Sequence, residues 1–363
     1  MNKKIKFGIC AHYPNIHDIV KIGILTEKYD LDSFWIPDHL TDLLPEGDKV
    51  DIWTTFATIG VQTNKIMFSP SVTDTQRIHP ARTANIVATL DDLTNGRAAL
   101  GIGAGEVMNT TPYGIEFGSV DERVTKLEEA IKVIKLLWES TRDNRVNFSG
   151  KYFSLNNAVL DQKSIQKPAP PIYVGVMGTS RTLKIVGELG DGWIPWTNSV
   201  ESYDKRAKMI EESANRVNRS MDSIDMANMI HIAITDDEKF QREITNMMKT
   251  EILITNHPNV LRKMGFDPKP PEGFDYTYQR VLGNMDIVNK AVEVAKDMPD
   301  EIVDKYTIIG NVDKVIDRIE DFIKVGANHI IIRDIIGQNI NASVKSAEET
   351  LQILNKQVIP HFK

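Results

Sequence analysis

The stretch Asp91–Asn109, DDLTNGRAALGIGAGEVMN, decides the fold class of this chain. Its apolar run from Arg97 to Gly103 does not alternate polar with apolar residues, which is typical of a strand buried on both faces of a parallel sheet. Alternating glycines clear the end of this strand, and Glu106 follows at once, with Asn109 one turn later. In a barrel of alternating strands and helices, the C-terminal strand ends form the active site. The stretch therefore predicts a strand end cleared for a flat ligand, with a carboxylate beside it.

Strand-like and helix-like segments alternate through the part of the chain that precedes this stretch. The predicted strands are Lys4–Ala11, Ser33–Pro37 and Ile66–Ser69, and the predicted helices are Ile16–Tyr29, Ile52–Thr63 and Ala81–Leu93. The same order returns after residue 171 and ends with a strand, NHIIIRD, and a closing helix, Ser343–His361. This order predicts an α/β fold, a single (β/α)8 TIM barrel over residues 1–363. Insertions are expected at about 141–171, where FSGKYFSL suggests a hairpin, and at 236–306, where a helical lid is expected.

Composition excludes several classes of partner. The net charge of −7, without any basic run, argues against nucleic-acid binding. No segment reaches the roughly 18 apolar residues of a membrane span, and MNKKIKFGIC is interpreted as a first strand instead of a signal peptide. Cys10 is the only cysteine, which fits a reducing cytoplasm, and the eight histidines show no metal-binding spacing. We therefore expect a cytoplasmic protein without a metal site.

Two pieces of sequence carry groups that can transfer protons. Asp38-His39 ends the second predicted strand, where histidine is suited to proton exchange near neutral pH and the adjacent carboxylate can orient its ring. A surface histidine is the alternative, although the strand-end position favours a functional role. Glu106 fits a general acid, and it fits equally well a carboxylate that interacts with a helix dipole.

A third piece, Gly175–Arg181, combines a strand end, a glycine turn and a helix start. Backbone N–H groups in such a turn can cradle an anion, and hydroxyls of Thr179 and Ser180 lie in reach. The alternative is a simple N-cap, since neither a Walker A nor a G-x-G-x-x-G pattern is present. On its own, Ser71–Asp74 is a polar loop, and Arg77–Pro80 is interpreted as the lead-in to a helix.

Together these motifs resemble one known family. DSFWIPDHL, TLDDLTNGRAALGIGAGE and YVGVMGTSRTLKIVGELGDGWI are similar to motifs of the luciferase-like flavin and deazaflavin oxidoreductases, and in particular of the branch that uses coenzyme F420. The GEVMN run most resembles F420-dependent sugar-phosphate dehydrogenases, methylenetetrahydromethanopterin reductases and ketoreductases. The resemblance implies hydride transfer between the deazaflavin C5 and a small organic substrate, either a carbonyl/alcohol or a methylene-pterin-like carbon. It also implies a homodimer.

The resemblance assigns roles to individual residues. His39 would lie by the reactive edge of the deazaflavin as base or proton donor, and Glu106 would carry a proton near the ring or the substrate. Ser71-Val72 would match the family's non-proline cis peptide behind the ring. The other expected cofactor-binding residues line the ring or hold the ribityl chain and phosphate: Asp38, Thr73, Gly103, Asn109, Gly175, Met177, Gly178, Thr179 and Ser180.

Two departures from these relatives leave the substrate open. The sugar-phosphate dehydrogenases carry an active-site tryptophan soon after the Asp-His pair, where this chain has Leu43. The reductases carry a glutamate at the end of the first strand, where this chain has Cys10 or Ala11. The alternatives to an F420-dependent enzyme are an FMN-dependent monooxygenase of the same superfamily and a non-catalytic flavin-binding barrel.

Overall fold

A computed structural model describes residues 4–13, 15–41, 49–256, 258–270, 272, 274, 284–337 and 344–363. Leu43 and Ser343 lie outside these residues. The strands are β1 Lys6–Cys10, β2 Ser33–Ile36, β3 Met67–Pro70, β4 Thr73–Asp74, β5 Leu100–Gly103, β6 Val146–Ser149, β7 Ser154–Ala158, β8 Ile172–Gly175, β9 Gly192–Trp193, β10 Asp225–Ile234, β11 Thr307–Gly310 and β12 His329–Asp334.

The helices alternate with these strands along the chain. They are α1 Ile16–Lys28, α2 Ile52–Gly60, α3 Pro80–Leu93, α4 Val120–Glu139, α5 Ser180–Leu189, α6 Val200–Arg216, α7 Glu238–Thr255, α8 Pro258–Met264, α9 Met285–Ala295, α10 Asp300–Tyr306, α11 Val312–Lys324 and α12 Val344–Ile353. A π-helical segment and a short 3-10 helix follow α12. Among the described residues, no helix is both long and apolar enough to cross a bilayer.

The parallel strands form a barrel. Their order is β3-β2-β1-β12-β10-β9-β8-β5-β4, with β11 beside the end of β10, and every pairing in this sheet is parallel. A parallel bridge between Phe68 and Ala98 closes the sheet on itself. The predicted TIM barrel is confirmed. Because all these strands run in one direction, their carboxyl ends meet at one rim, where the candidate residues collect.

Most predicted elements appear within one to three residues of their expected bounds. The central strand is shorter than predicted, since Ala98 makes only an isolated bridge and β5 begins at Leu100. The strand β11 was not predicted, because its four residues look like the start of the helix that follows. The hairpin β6–β7 lies within 141–171, and α7 to α10 lie within 236–306.

A buried polar cluster occupies the opposite, N-terminal end of the barrel. One carboxylate oxygen of Asp225 accepts hydrogen bonds from Lys6, from the Tyr173 hydroxyl and from Nδ1 of His329. The other ring nitrogen of His329 lies 2.7 Å from the Ser33 hydroxyl. Burial opposes ionisation of Asp225, but His329 and then Lys6 outweigh it and hold the pKa of this carboxyl well below its usual range. This cluster ties five barrel strands together far from the candidate site.

Candidate active site

The structure brings together the two proposed proton carriers, although 67 positions separate them in the sequence. His39 follows β2 and Glu106 follows β5, and Nε2 of His39 lies 3.5 Å from Oε2 of Glu106. The histidine side chain is 18% exposed and the glutamate 48%, so the pair opens toward solvent. Nδ1 of His39 is buried without a hydrogen-bond partner among the described residues. The ring therefore has one buried nitrogen and one nitrogen near a carboxylate at the barrel rim.

Asn109 links the two loops that carry this pair. Its side-chain oxygen accepts the backbone N–H of Leu40 at 2.7 Å, and its amide nitrogen lies 3.4 Å from Oε2 of Glu106. Only 2% of Asn109 is exposed. It therefore holds Leu40, the residue after His39, in place relative to Glu106. The sequence did not indicate this positioning role.

Asp38 does not orient the His39 ring, which corrects the expectation drawn from their adjacency. Its Oδ2 instead accepts a hydrogen bond from the Thr73 hydroxyl at 2.5 Å and one from Arg77 at 2.9 Å. Arg77 also donates to the carbonyl oxygen of Asp38 and, through Nε, to Asp74. These three charged side chains are 7–14% exposed. Burial raises the pKa of Asp38 despite the neighbouring Arg77, whose charge lowers it.

The Thr73–Arg77 segment also reaches the end of β5. The Gln76 side-chain amide donates to the carbonyl oxygen of Ala104 at 3.3 Å, two residues before Glu106. Gly105 has φ +87°, and a Cβ there would approach Cγ of Gln76 to 2.8 Å. One segment thus contacts both strand ends that present His39 and Glu106.

Behind these strand ends lies a surface made of Val72 and glycine backbone. The Ser71-Val72 peptide bond is cis, as the resemblance predicted. Gly103 and Gly175 are paired in register on β5 and β8. A Cβ at Gly103 would come within 2.8 Å of a Val72 methyl, and one at Gly175 within 2.6 Å. The glycines therefore let Val72 lie directly against both strands, and this arrangement fits a flat ring.

The predicted anion cradle follows β8. Gly178 has φ +102°, and the Thr179 hydroxyl caps α5 by accepting the N–H of Thr182. Ser180 begins α5, and the side chain of Met177 is largely exposed at the rim. The turn conformation and the helix start thus suit a phosphate, although the N-cap alone also explains Thr179.

A charged cluster at the rim was missed by the sequence analysis. Nη1 of Arg333, on β12, lies 2.6 Å from Oε1 of Glu251, on α7, and 2.7 Å from Nε2 of His231, on β10. The Arg333 guanidinium also lies 5.2 Å from the ring centre of Trp196. Burial, and then the Arg333 charge, lower the pKa of His231 to about 3, so its neutral ring accepts a hydrogen bond from Arg333. The cluster ties the residue 236–306 region to the barrel.

Comparison with known proteins identifies the family. The sequence model of the luciferase-like monooxygenases matches residues 5–329, and the chain therefore belongs to this family. It is 28% identical over 356 residues to 5,10-methylenetetrahydromethanopterin reductase from Methanopyrus kandleri, covering 96% of this chain and 95% of that protein. It is 24% identical to an F420-dependent glucose-6-phosphate dehydrogenase from Microbacterium testaceum, covering 100% and 99%.

Solved structures agree on the fold. An F420-dependent secondary alcohol dehydrogenase, solved with an F420-acetone adduct, superposes with a TM-score of 0.80 at 23% identity and covers 99% of both chains. Homologues of this chain thus include proteins named as a 5,10-methylenetetrahydromethanopterin reductase and as an F420-dependent glucose-6-phosphate dehydrogenase. The family predicted from the spaced motifs is confirmed.

Proposed function

We propose that this protein is an F420-dependent oxidoreductase, with His39 and Glu106 as its proton-transferring groups. The observation that carries this proposal is the 3.5 Å approach of the two side chains at the barrel rim, beside strand ends that glycines leave bare. Relatives named as F420-dependent glucose-6-phosphate dehydrogenases, which match over nearly the full length of the chain, support the same cofactor. The substrate class is a carbonyl/alcohol or a methylene-pterin-like carbon.

The residues present fit a deazaflavin. Val72, lying against Gly103 and Gly175, offers a surface for one face of the ring, and Gly178 with the start of α5 suits the phosphate. Thr73, which follows Val72 in the chain, donates a hydrogen bond from its hydroxyl to Asp38. The bound deazaflavin would supply a carbon that gives or accepts a hydride.

The chain itself would supply the proton and the geometry. His39 carries or receives a proton at Nε2, and Glu106 exchanges it with solvent, since half of its side chain is exposed. Asn109 and the Thr73–Arg77 segment hold the two loops in register. Positioning of this kind accounts for a large share of catalysis, because small displacements of reacting groups are costly.

The first test is a fluorescence titration of the purified protein with oxidised F420 and, separately, with FMN. We expect binding of F420 and indifference to FMN. Binding of FMN alone would favour the monooxygenase alternative, and binding of neither would favour a lost cofactor site and refute the proposed mechanism.

The second test compares variants of two histidine–glutamate pairs. His39→Ala and Glu106→Gln should each lower the rate of hydride transfer by about 10²–10⁴-fold while leaving F420 affinity nearly unchanged. His361, which lies 2.8 Å from Glu320 on the surface, provides a matched control as His361→Ala. Unaltered turnover in both site variants would show that the site assignment is wrong.

We also propose a cytoplasmic homodimer. The lone cysteine supports the location, and the family resemblance supports the pairing. Sedimentation equilibrium with only a monomer would contradict the dimer.

A further inference from the structure

A cavity of about 300 Å³ opens beside the proposed phosphate cradle, lined by residues that follow β9, by the C-terminal half of β10 and by the start of β11. Met177 of the cradle lines it on one side, and residues of α7 and α8 line it on the other. The apolar lining is made of Met177, Trp196, Met248, Ile252, Val260 and Met264. Its size matches the lower end of small-molecule sites, and the lining suits a partly apolar ligand.

Two charged side chains line this cavity, Glu251 and Arg206. The charge of Glu251 is neutralised by Arg333, whose Nη1 lies 2.6 Å from its carboxylate. Arg206 is half-buried, and its hydrogen-bond acceptor is the neutral side-chain oxygen of Asn198. Among the described residues, no carboxylate pairs with Arg206, and burial lowers the pKa of its guanidinium. The cavity therefore has one uncompensated positive charge.

Arg206 also lies directly on the cradle. A Cβ at Gly178 would come within 2.6 Å of Nε of Arg206, so glycine is needed for the guanidinium to lie there. The positive φ of Gly178, +102°, requires the same residue for a second reason. Thus a cation from α6 and the turn before α5 meet at the edge of the cavity.

We propose that this cavity binds the phosphate or carboxylate group of a ligand with an apolar body, and that Arg206 is the ion-pair partner of that group. A half-buried guanidinium without a counterion is unfavourable, and an anion that enters removes this cost. The planar guanidinium can bind either group with two parallel hydrogen bonds. The anion comes from the phosphate-bearing tail of the cofactor or from an acidic substrate. The inference rests on the proposed function only if the anion is the phosphate of the cofactor.

Two variants of α6 separate the charge of Arg206 from general effects. Arg206→Gln removes the cation but keeps a donor for Asn198. Arg216→Gln, in the exposed last turn of the same helix, removes the same charge away from the cavity. Thermal unfolding of both variants establishes that they are folded before binding is measured.

The cofactor arm measures binding of F420 and of its phosphate-free deazaflavin riboside by fluorescence. If the anion belongs to the cofactor, Arg206→Gln weakens F420 at least about tenfold more than the riboside, whereas Arg216→Gln does not. The substrate arm measures the rise in Tm caused by inorganic phosphate and by hexanoate, with and without F420. If the anion belongs to the substrate, this rise persists in the F420-loaded wild type and disappears in Arg206→Gln.

Either result supports the proposal and identifies the source of the anion. The proposal is overturned if Arg206→Gln matches Arg216→Gln in both arms. Failure of the wild type to bind F420 would refute the proposed function instead, and the phosphate and hexanoate measurements on the cofactor-free protein would still decide whether the cavity binds anions.

Discussion

Replacing Arg77 by methionine should destabilise the protein and disable the candidate site at the same time. The substitution removes two hydrogen bonds to the carboxylates of Asp38 and Asp74 and one to the Asp38 carbonyl. Both carboxylates would remain largely buried, at 14% and 7% exposure, without their counterion. Losing one partner of a buried ion pair typically costs about 3–5 kcal/mol. For a chain of 363 residues, that corresponds to a Tm lower by roughly 4–7 °C.

The pH dependence of this loss identifies its cause. Burial already raises the pKa of Asp38, and removing Arg77 takes away the charge that lowers it, so the deficit in unfolding free energy should shrink as the pH falls from 8 to 5. Arg97 provides the control, because its hydrogen bonds go to carbonyl and hydroxyl oxygens. The deficit of Arg97→Met should change less with pH. Urea unfolding across this range measures both.

The same variant tests the link to catalysis. Arg77 touches neither His39 nor Glu106 but holds the backbone of Asp38, next to His39. We expect a lower kcat for Arg77→Met, since a displacement of about 1 Å can cost about 10²-fold. Arg77→Lys, which keeps the charge, should recover part of it. A folded Arg77→Met with wild-type Tm and kcat would refute the reasoning.

Three further changes test other parts of the structure. Gly175→Ala places a methyl within 2.6 Å of Val72, so F420 affinity in the fluorescence titration should fall about tenfold, with about 1–3 kcal/mol of stability lost. Asp225→Asn should cost about 3 kcal/mol at pH 7, and urea unfolding should show this cost fading as the pH falls below about 4, because the low pKa of Asp225 makes its contribution present only above the unfolded value. Burial raises the pKa of Asp334 to about 6, so wild-type stability is lost as the pH rises through that value. The unfolding free energy of Asp334→Asn relative to wild type should therefore be up to about 3 kcal/mol higher at pH 8 than at pH 4, and the same difference between the two proteins at both pH values would contradict this.

The sequence predicted the barrel because its strands and helices carry strong local patterns. The run before Gly103 is buried on both faces, and the predicted helices bury one face each, as expected from their spacing. The strand β11 escaped prediction because its four residues run directly into the pattern of the helix that follows. Segment patterns also predicted which strand ends would meet, since the carboxyl ends of parallel strands share one rim.

The contacts between side chains at that rim were harder to predict. The adjacency of Asp38 and His39 suggested that they interact, but the carboxylate of Asp38 bonds Thr73 and Arg77, which lie 35 and 39 positions away. From the sequence, Arg77 is interpreted as part of the lead-in to α3. No residue near it in the chain indicates that its partner is Asp38, which follows β2. Its spacing of three from Asp74 was the one available signal.

The proposed substrate side of the site shows this limit most clearly. The amphipathic pattern of α7 predicts a buried face, but it does not predict that Glu251 on that helix meets Arg333 on β12, 82 positions away. Once that pair forms, Glu251 is no longer available to Arg206, and the positive charge of Arg206 is left at the cavity. The preference of the cavity for an anion therefore depends on the contact between Glu251 and Arg333. Replacing Arg333 would leave Glu251 free to offset the positive charge of Arg206. It should therefore weaken anion binding, although it changes no proposed contact with the anion.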